Sequence, residues 1–161
     1  MRDKKVLFVV QAAAIAAVYV VLTMVFAPLS FGEVQVRFAE ALTVLPFFTP
    51  AAIPGLFVGC VIGNFLGGAI PVDIICGSIA TLIGACGSYA VRKYKFLVPF
   101  PPIIANTAIV PLVLFYGYGI NLPIPLMMLS VGAGEVLSCG VLGFVVLFAL
   151  EKYRHVIFKT A

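Results

Sequence analysis

Two carboxylates, an arginine and a glutamine lie close together between two long apolar runs, within residues 27–42. They are Glu33, Gln35, Arg37 and Glu40, in a chain that is 63% hydrophobic and only 10% charged. A charged side chain at the centre of a bilayer costs roughly 2.5–3.5 kcal/mol, so such groups are usually paired, hydrated or bound to a ligand. These residue types can hydrogen-bond a small polar molecule. The segment therefore predicts a polar site on one side of a membrane protein.

Further polar residues occur singly in the later apolar runs. Those predicted to converge on the outer half of the bundle, as an outward-facing ligand pocket, are Asn64, Asp73, Asn106, Tyr116, Tyr118, Asn121 and Glu135. Glu135 is the strongest candidate, because no other charged residue lies between Phe96 and Leu150. Structural interpretations stay open for others, and Tyr116 and Tyr118 are also typical of an interfacial aromatic belt. Arg37 and Glu40 have the spacing of a helical ion pair, and Asp73 suits the first turn of a helix.

The overall composition predicts an integral membrane protein. Mean hydropathy is +1.22, and soluble domains ordinarily carry about 25% charged residues. The net charge is +4, and the lysines and arginines lie in three clusters, at 2–5, 92–95 and 152–159, with Arg37 apart from them. Basic clusters at the ends of apolar runs follow the positive-inside rule, so all three are predicted to be cytoplasmic. The same distribution argues against a nucleic-acid partner.

Six apolar segments are predicted to form an all-α bundle of six transmembrane helices with cytoplasmic N and C termini. Their approximate limits are 6–27, 34–48, 53–68, 72–91, 99–118 and 124–150, in a single transmembrane domain over residues 1–161. A helix needs roughly 20 residues to cross the bilayer, so the second segment is short. We interpret it as a short helix within the bundle, shielded by longer neighbours.

Catalytic and metal-binding patterns are missing from the sequence. His155 is the only histidine and falls in the predicted cytoplasmic tail, and no GxxxxGK[ST] phosphate loop occurs. The four cysteines lack CxxC spacing and are interpreted as packing residues. The chain is therefore predicted not to be an enzyme, and to hold neither a metal nor a cofactor.

Small residues recur at four-residue spacing on two segments. Gly55, Gly59, Gly63 and Gly67 form such a series on the third segment, and the first contains the pairs Ala12/Ala16 and Ala13/Ala17. Small faces of this kind let transmembrane helices approach closely. The alanine pairs are suited to contact either a neighbouring helix or another subunit.

Several short blocks, taken together, resemble one known family over nearly the whole chain. They are APLSFG at 27–32, RFAEAL at 37–42, GCVIGN at 59–64, DIICGS at 73–78, NTAIVP at 106–111 and Gly134-Glu135. This resembles the QueT family of queuosine-precursor transporters, which are substrate-binding S components of energy-coupling factor (ECF) transporters. The resemblance implies a six-helix protein that captures its ligand outside. It also implies docking on a coupling transmembrane subunit with two ATPases, through Ala13 and Ala17.

The implied ligand is a 7-deazaguanine such as preQ0, preQ1 or queuine. A guanine-like edge has adjacent N–H donors that a carboxylate can accept, and its carbonyl suits an amide donor. The candidate substrate-binding residues are Arg37, Glu40, Asn64, Asp73, Asn106, Tyr116 and Glu135. The same groups would suit another vitamin-like heterocycle, so the chain could be an S component for a different vitamin. A facilitator that works without partner subunits is a further alternative. A structural subunit whose polar groups only join helices is a third interpretation.

Overall fold

The computed structural model describes residues 2–30 and 36–158, apart from the side chain of Arg2. Glu33 and Gln35 of the polar segment and Lys159 of the third basic cluster lie outside the described residues. The helices are α1 (Arg2–Val25), α2 (Ala27–Ser30), a 3-10 helix (Phe38–Phe47), α3 (Ala52–Leu66), α4 (Pro71–Ala90), a 3-10 turn (Lys95–Leu97), α5 (Phe100–Tyr116), α6 (Ile124–Glu135), a π-helical segment (Val136–Leu142), α7 (Gly143–Lys152) and α8 (Arg154–Ile157).

The described part of the chain is helical and contains no strand, which confirms the all-α prediction. Within the described residues, four segments are long and apolar enough to cross a membrane: Asp3–Val25, Pro71–Ala90, Lys95–Tyr116 and Ile124–Lys152. The protein is therefore a multi-pass membrane protein. Phe38–Phe47 and Ala52–Leu66 are apolar but shorter.

The 3-10 helix Phe38–Phe47 lies inside the bundle, where residues 39–46 are all buried. At about 2.0 Å per residue, its 10 residues extend well short of the roughly 30 Å hydrocarbon core of a bilayer. The Thr43 hydroxyl donates to the Glu40 carbonyl at 2.6 Å, within this helix. 3-10 runs longer than three or four residues are uncommon. This helix brings Glu40 to the centre of the protein.

Close backbone packing joins α1 to α3. A Cβ atom added to Gly55 would lie 2.7 Å from the Ala12 carbonyl oxygen, and one added to Gly59 would lie 2.8 Å from the Tyr19 Cβ. Only glycine permits this approach. Ala16 is buried in the same contact, whereas Ala13 and Ala17 face outward from α1 and are exposed. The structure thus assigns the first alanine pair to packing within the chain.

Three contacts place the ends of distant segments at one end of the bundle. Lys95 pairs with Glu151 at the end of α7, and Phe48 stacks on Phe158 with ring centroids 5.0 Å apart. Thr49 donates to the Gln11 side-chain oxygen at 2.9 Å, on the first half of α1. The basic residues near both termini and near residue 95 therefore share one end, and the loop after Tyr116 lies at the other.

Candidate functional site

Glu40 is the centre of a buried polar cluster and has no exposed surface. The Tyr19 hydroxyl, from α1, donates to Glu40 Oε1 at 2.5 Å. The Thr81 hydroxyl, from α4, donates to the same oxygen at 3.2 Å. Since a buried carboxylate is costly unless it is hydrogen-bonded, these two donors fix the position of Glu40.

A second buried carboxylate, Glu135, faces the same cluster from the end of α6. Asn106 Nδ2, from α5, donates to Glu135 Oε2 at 3.2 Å. The same nitrogen lies 3.5 Å from Glu40 Oε2. One amide therefore connects the two carboxylates, which come from segments 95 residues apart in the sequence.

Cys139 contacts both glutamates from the π-helical segment. Its thiol lies 3.2 Å from Glu135 Oε2 and 3.5 Å from the Glu40 carbonyl oxygen. The segment Val136–Leu142 begins directly after Glu135, and π-helical turns occur often at functional sites. The wider turn brings Cys139 beneath the two carboxylates.

Glu40, Glu135 and Cys139 offer ligand atoms that all lie within 4.8 Å of one another. Such a set could in principle contact a metal ion. The surrounding groups do not favour one, because Tyr19, Thr81 and Asn106 all direct hydrogen-bond donors at these carboxylates. Donors stabilise anionic oxygens and compete with a cation for them. The carboxylate and amide groups of the cluster can hydrogen-bond a polar ligand.

A second polar cluster lies at the opposite end from the basic residues. The Tyr118 hydroxyl donates to Asp73 Oδ2 at 2.9 Å, and Arg37 Nη2 lies 3.9 Å from the same oxygen. Arg37 Nε also donates to the Ser30 carbonyl at 3.4 Å. Burial, followed by the hydrogen bond to Asp73, raises the pKa of Tyr118 above its ordinary value.

Arg37 pairs with Asp73, whereas its spacing in the sequence suggested a helical pair with Glu40. The reason is conformational. Arg37 precedes the 3-10 helix in extended backbone, with φ −95° and ψ 99°, so it does not share a helical face with Glu40. Its side chain extends instead to α4, where Asp73 occupies the first turn.

The structure brings six of the seven predicted binding residues into the buried interior. They are Arg37, Glu40, Asn64, Asp73, Asn106 and Glu135, all buried. Tyr116 is not among them: it is 76% exposed and packs edge-on against Phe115. It borders a shallow surface groove of about 350 Å³ between α4 and α5. Tyr118, two residues later, contacts Asp73 in the second polar cluster instead.

Sequence reasoning missed three of the cluster's residues: Tyr19, Thr81 and Cys139. Tyr19 carried a usable signal, because a tyrosine far from the ends of an apolar run needs a hydrogen-bond partner. Cys139 lies four residues after Glu135, a spacing that places two side chains on one helical face. Thr81 carried none, since threonine is common in transmembrane helices.

A family model described as QueT transporter matches residues 9–152. The chain is also similar to a queuosine precursor transporter QueT of Lactococcus lactis subsp. cremoris (strain MG1363), with 38% identity over 85 residues. That alignment covers 52% of this chain and 50% of the relative, so the chain spans about half the length of the curated protein. No solved structure matches.

Proposed function

This chain belongs to the QueT transporter family, and we propose that it is the substrate-binding subunit of an ATP-driven ECF-type importer. Its proposed ligand is a 7-deazaguanine such as preQ0, preQ1 or queuine, captured from outside the cell. The family is one of transporters and not of enzymes. The buried cluster around Glu40, Asn106 and Glu135 is the proposed binding site.

One observation carries this proposal: two buried carboxylates converge on a single amide, at 3.2 and 3.5 Å. A deazaguanine edge presents N1–H beside N2–H2, and a carboxylate can accept from both. We assign this role to Glu135, with the Asn106 amide beside it as a partner for the ligand carbonyl. Glu40 is held in place by Tyr19 and closes the site from the other side.

A titration of the purified protein with a panel of compounds tests the proposal. The panel contains preQ0, preQ1, queuine, guanine and two unrelated vitamins, measured by calorimetry and by thermal shift. We expect at least one deazaguanine to bind with nanomolar-to-micromolar affinity. When its free concentration is 100 times the Kd, this ligand should raise the free energy of unfolding by about 2.7 kcal/mol. Binding of a vitamin alone would favour the other-heterocycle interpretation, and binding of none would favour a structural subunit.

We further propose that six segments span the membrane and that both termini are cytoplasmic. The shared end of the basic residues supports this orientation, because positive residues favour the cytoplasmic side. Residues 28–36 and 117–123 would then be extracellular. The two shorter crossings would be α3 and the segment 34–48, in which the 3-10 helix supplies only part of the length.

Cysteine labelling in intact cells tests this topology. Ser30 is buried, so Leu29→Cys, at a position 50% exposed, is the better outer reporter. Lys93→Cys is the inner reporter, in a background where Cys76 and Cys86 are replaced by alanine. A membrane-impermeant maleimide should label the outer reporter in intact cells, and the inner one only after permeabilisation. The reverse pattern would contradict the orientation and the outward-facing site.

The proposal includes partners, namely an ECF coupling transmembrane subunit and two ATPases. Support comes from two features of this chain. The sequence contains no GxxxxGK[ST] loop with which to use ATP by that route. On α1, Ala13 and Ala17 remain exposed because the adjacent pair Ala12 and Ala16 is taken up by α3. We assign Ala13 and Ala17 to the contact with the coupling subunit.

A further inference from the structure

Asp73 uses only one of its two carboxylate oxygens. Oδ2 accepts from Tyr118 and lies near Arg37. Oδ1 is buried and has no hydrogen-bond partner among the described residues, in a side chain that is 2% exposed. A buried carboxylate oxygen without a donor leaves its desolvation uncompensated, so this atom calls for a donor from elsewhere.

Gly77, one turn further along α4, presents no side chain toward Oδ1, and the atoms around its Cα are close. A Cβ atom added there would lie 3.2 Å from Asp73 Oδ1, 3.2 Å from Asn64 Nδ2 and 3.9 Å from Arg37 Nη1. An acceptor, an amide donor and a guanidinium thus surround a bare stretch of helix backbone. The only hydrogen bond that Asn64 Nδ2 makes among the described residues is at 3.6 Å to the Cys60 sulfur, which is a weak acceptor. A stronger acceptor could displace it.

The donors and the acceptor together select the chemistry of an occupant. A hydroxyl group can donate to Asp73 Oδ1 and accept from Asn64 Nδ2 or the guanidinium of Arg37. An ammonium group has no acceptor and would lie beside the guanidinium, which repels it. A nitrile has no donor, so it would leave Asp73 Oδ1 without a partner.

We propose that Asp73, Asn64 and Gly77 form an outer subsite that binds a hydroxyl group on the substituent of the ligand. The inference rests on the proposed function and deepens it, because it selects among deazaguanines. The base occupies the inner carboxylate pair, and the substituent extends outward to Asp73. A 7-deazaguanine with a hydroxylated substituent is the preferred class of ligand.

Three compounds separate the contributions of the substituent. Queuine carries an amine and a cis-diol ring, preQ1 carries the amine without the diol, and preQ0 carries a nitrile. By calorimetric titration, we expect the wild-type protein to bind queuine at least about 10-fold more tightly than preQ1. Asp73→Asn should weaken queuine binding about 10- to 150-fold, the range for losing a hydrogen bond to a charged group. Binding of preQ1 and preQ0 should change by less than about 3-fold.

A second variant tests the same subsite in case Asp73→Asn does not fold. Gly77→Ala keeps every charge and puts a methyl group 3.2 Å from Asp73 Oδ1 and Asn64 Nδ2. It should therefore also weaken queuine binding selectively, by about 10-fold. Glu151→Gln makes the same acid-to-amide change at a partly exposed ion pair far from the site. It should leave all three affinities unchanged, and thermal shift should show that every variant is folded.

The outcomes distinguish this inference from the function on which it rests. If wild-type protein binds preQ1 as tightly as queuine, or if Asp73→Asn weakens all three compounds equally, the hydroxyl subsite is wrong while deazaguanine binding stands. If wild-type protein binds none of the three, the proposed function itself fails.

Discussion

Replacing Glu135 by glutamine is expected to reduce deazaguanine affinity about 10- to 150-fold, because a hydrogen bond from the ligand to a charged acceptor is lost. The change retains the size of the side chain and replaces one acceptor oxygen with a donor. It also removes the charge of one of the two carboxylates that accept from the Asn106 amide. Like charges in a buried site destabilise each other, so thermal stability should be unchanged or higher.

Calorimetry and thermal unfolding of Glu135→Gln measure the two effects separately. Glu151→Gln is the matched control, since its carboxylate pairs with Lys95 away from the cluster, and it should bind ligand normally. Unchanged affinity in Glu135→Gln would contradict a role in reading the base. It would leave Glu40 or Asp73 as the reader.

Replacing Ala13 or Ala17 by leucine is expected to weaken assembly with the proposed coupling subunit by about 10-fold or more. A bulky side chain on a small-residue face keeps two transmembrane helices apart, and overpacking typically costs about 1–3 kcal/mol. Both alanines are exposed on the surface of this chain, so the fold and ligand binding should be unaffected. The loss should therefore be specific to the complex.

Copurification with coexpressed coupling subunit and ATPases measures this effect, with ligand titration of each variant alone. Ala108→Leu makes the same change at an exposed position of α5 and is the matched control. If Ala13→Leu and Ala17→Leu both copurify as fully as Ala108→Leu, the docking surface lies elsewhere on the protein.

The convergence of polar residues could be predicted from the sequence because few of them interrupt the apolar runs. Alternating helix direction then brings Glu40, Asn106 and Glu135 to a common depth. The four long helices were likewise predictable from length and hydropathy. The number of crossings and the orientation of the termini remain predictions, which the labelling experiment addresses.

Other features depend on the rotation of each helix, which a uniformly apolar run does not encode. Tyr116 and Tyr118 flank Gly117, where α5 ends, so their directions could not be read from a helical period. The 3-10 helix is buried on all sides and shows no polar face from which to infer its geometry. Its tighter winding, and the extended backbone at Arg37, decide which partner Arg37 meets.

The contact between Tyr19 and Glu40 has a thermodynamic consequence. Tyr19 extends from the buried side of α1 to the central carboxylate, while the exposed side of the same helix carries Ala13 and Ala17. Gly59 leaves almost no clearance beside Tyr19, so a displacement of α1 along α3 would stretch this hydrogen bond. Any partner that shifts α1 would change ligand affinity, and by linkage the ligand would change the partner's affinity by the same factor. The hydrogen bond of Tyr19 to Glu40 would then link ligand binding at the buried cluster to partner binding on the exposed side of α1.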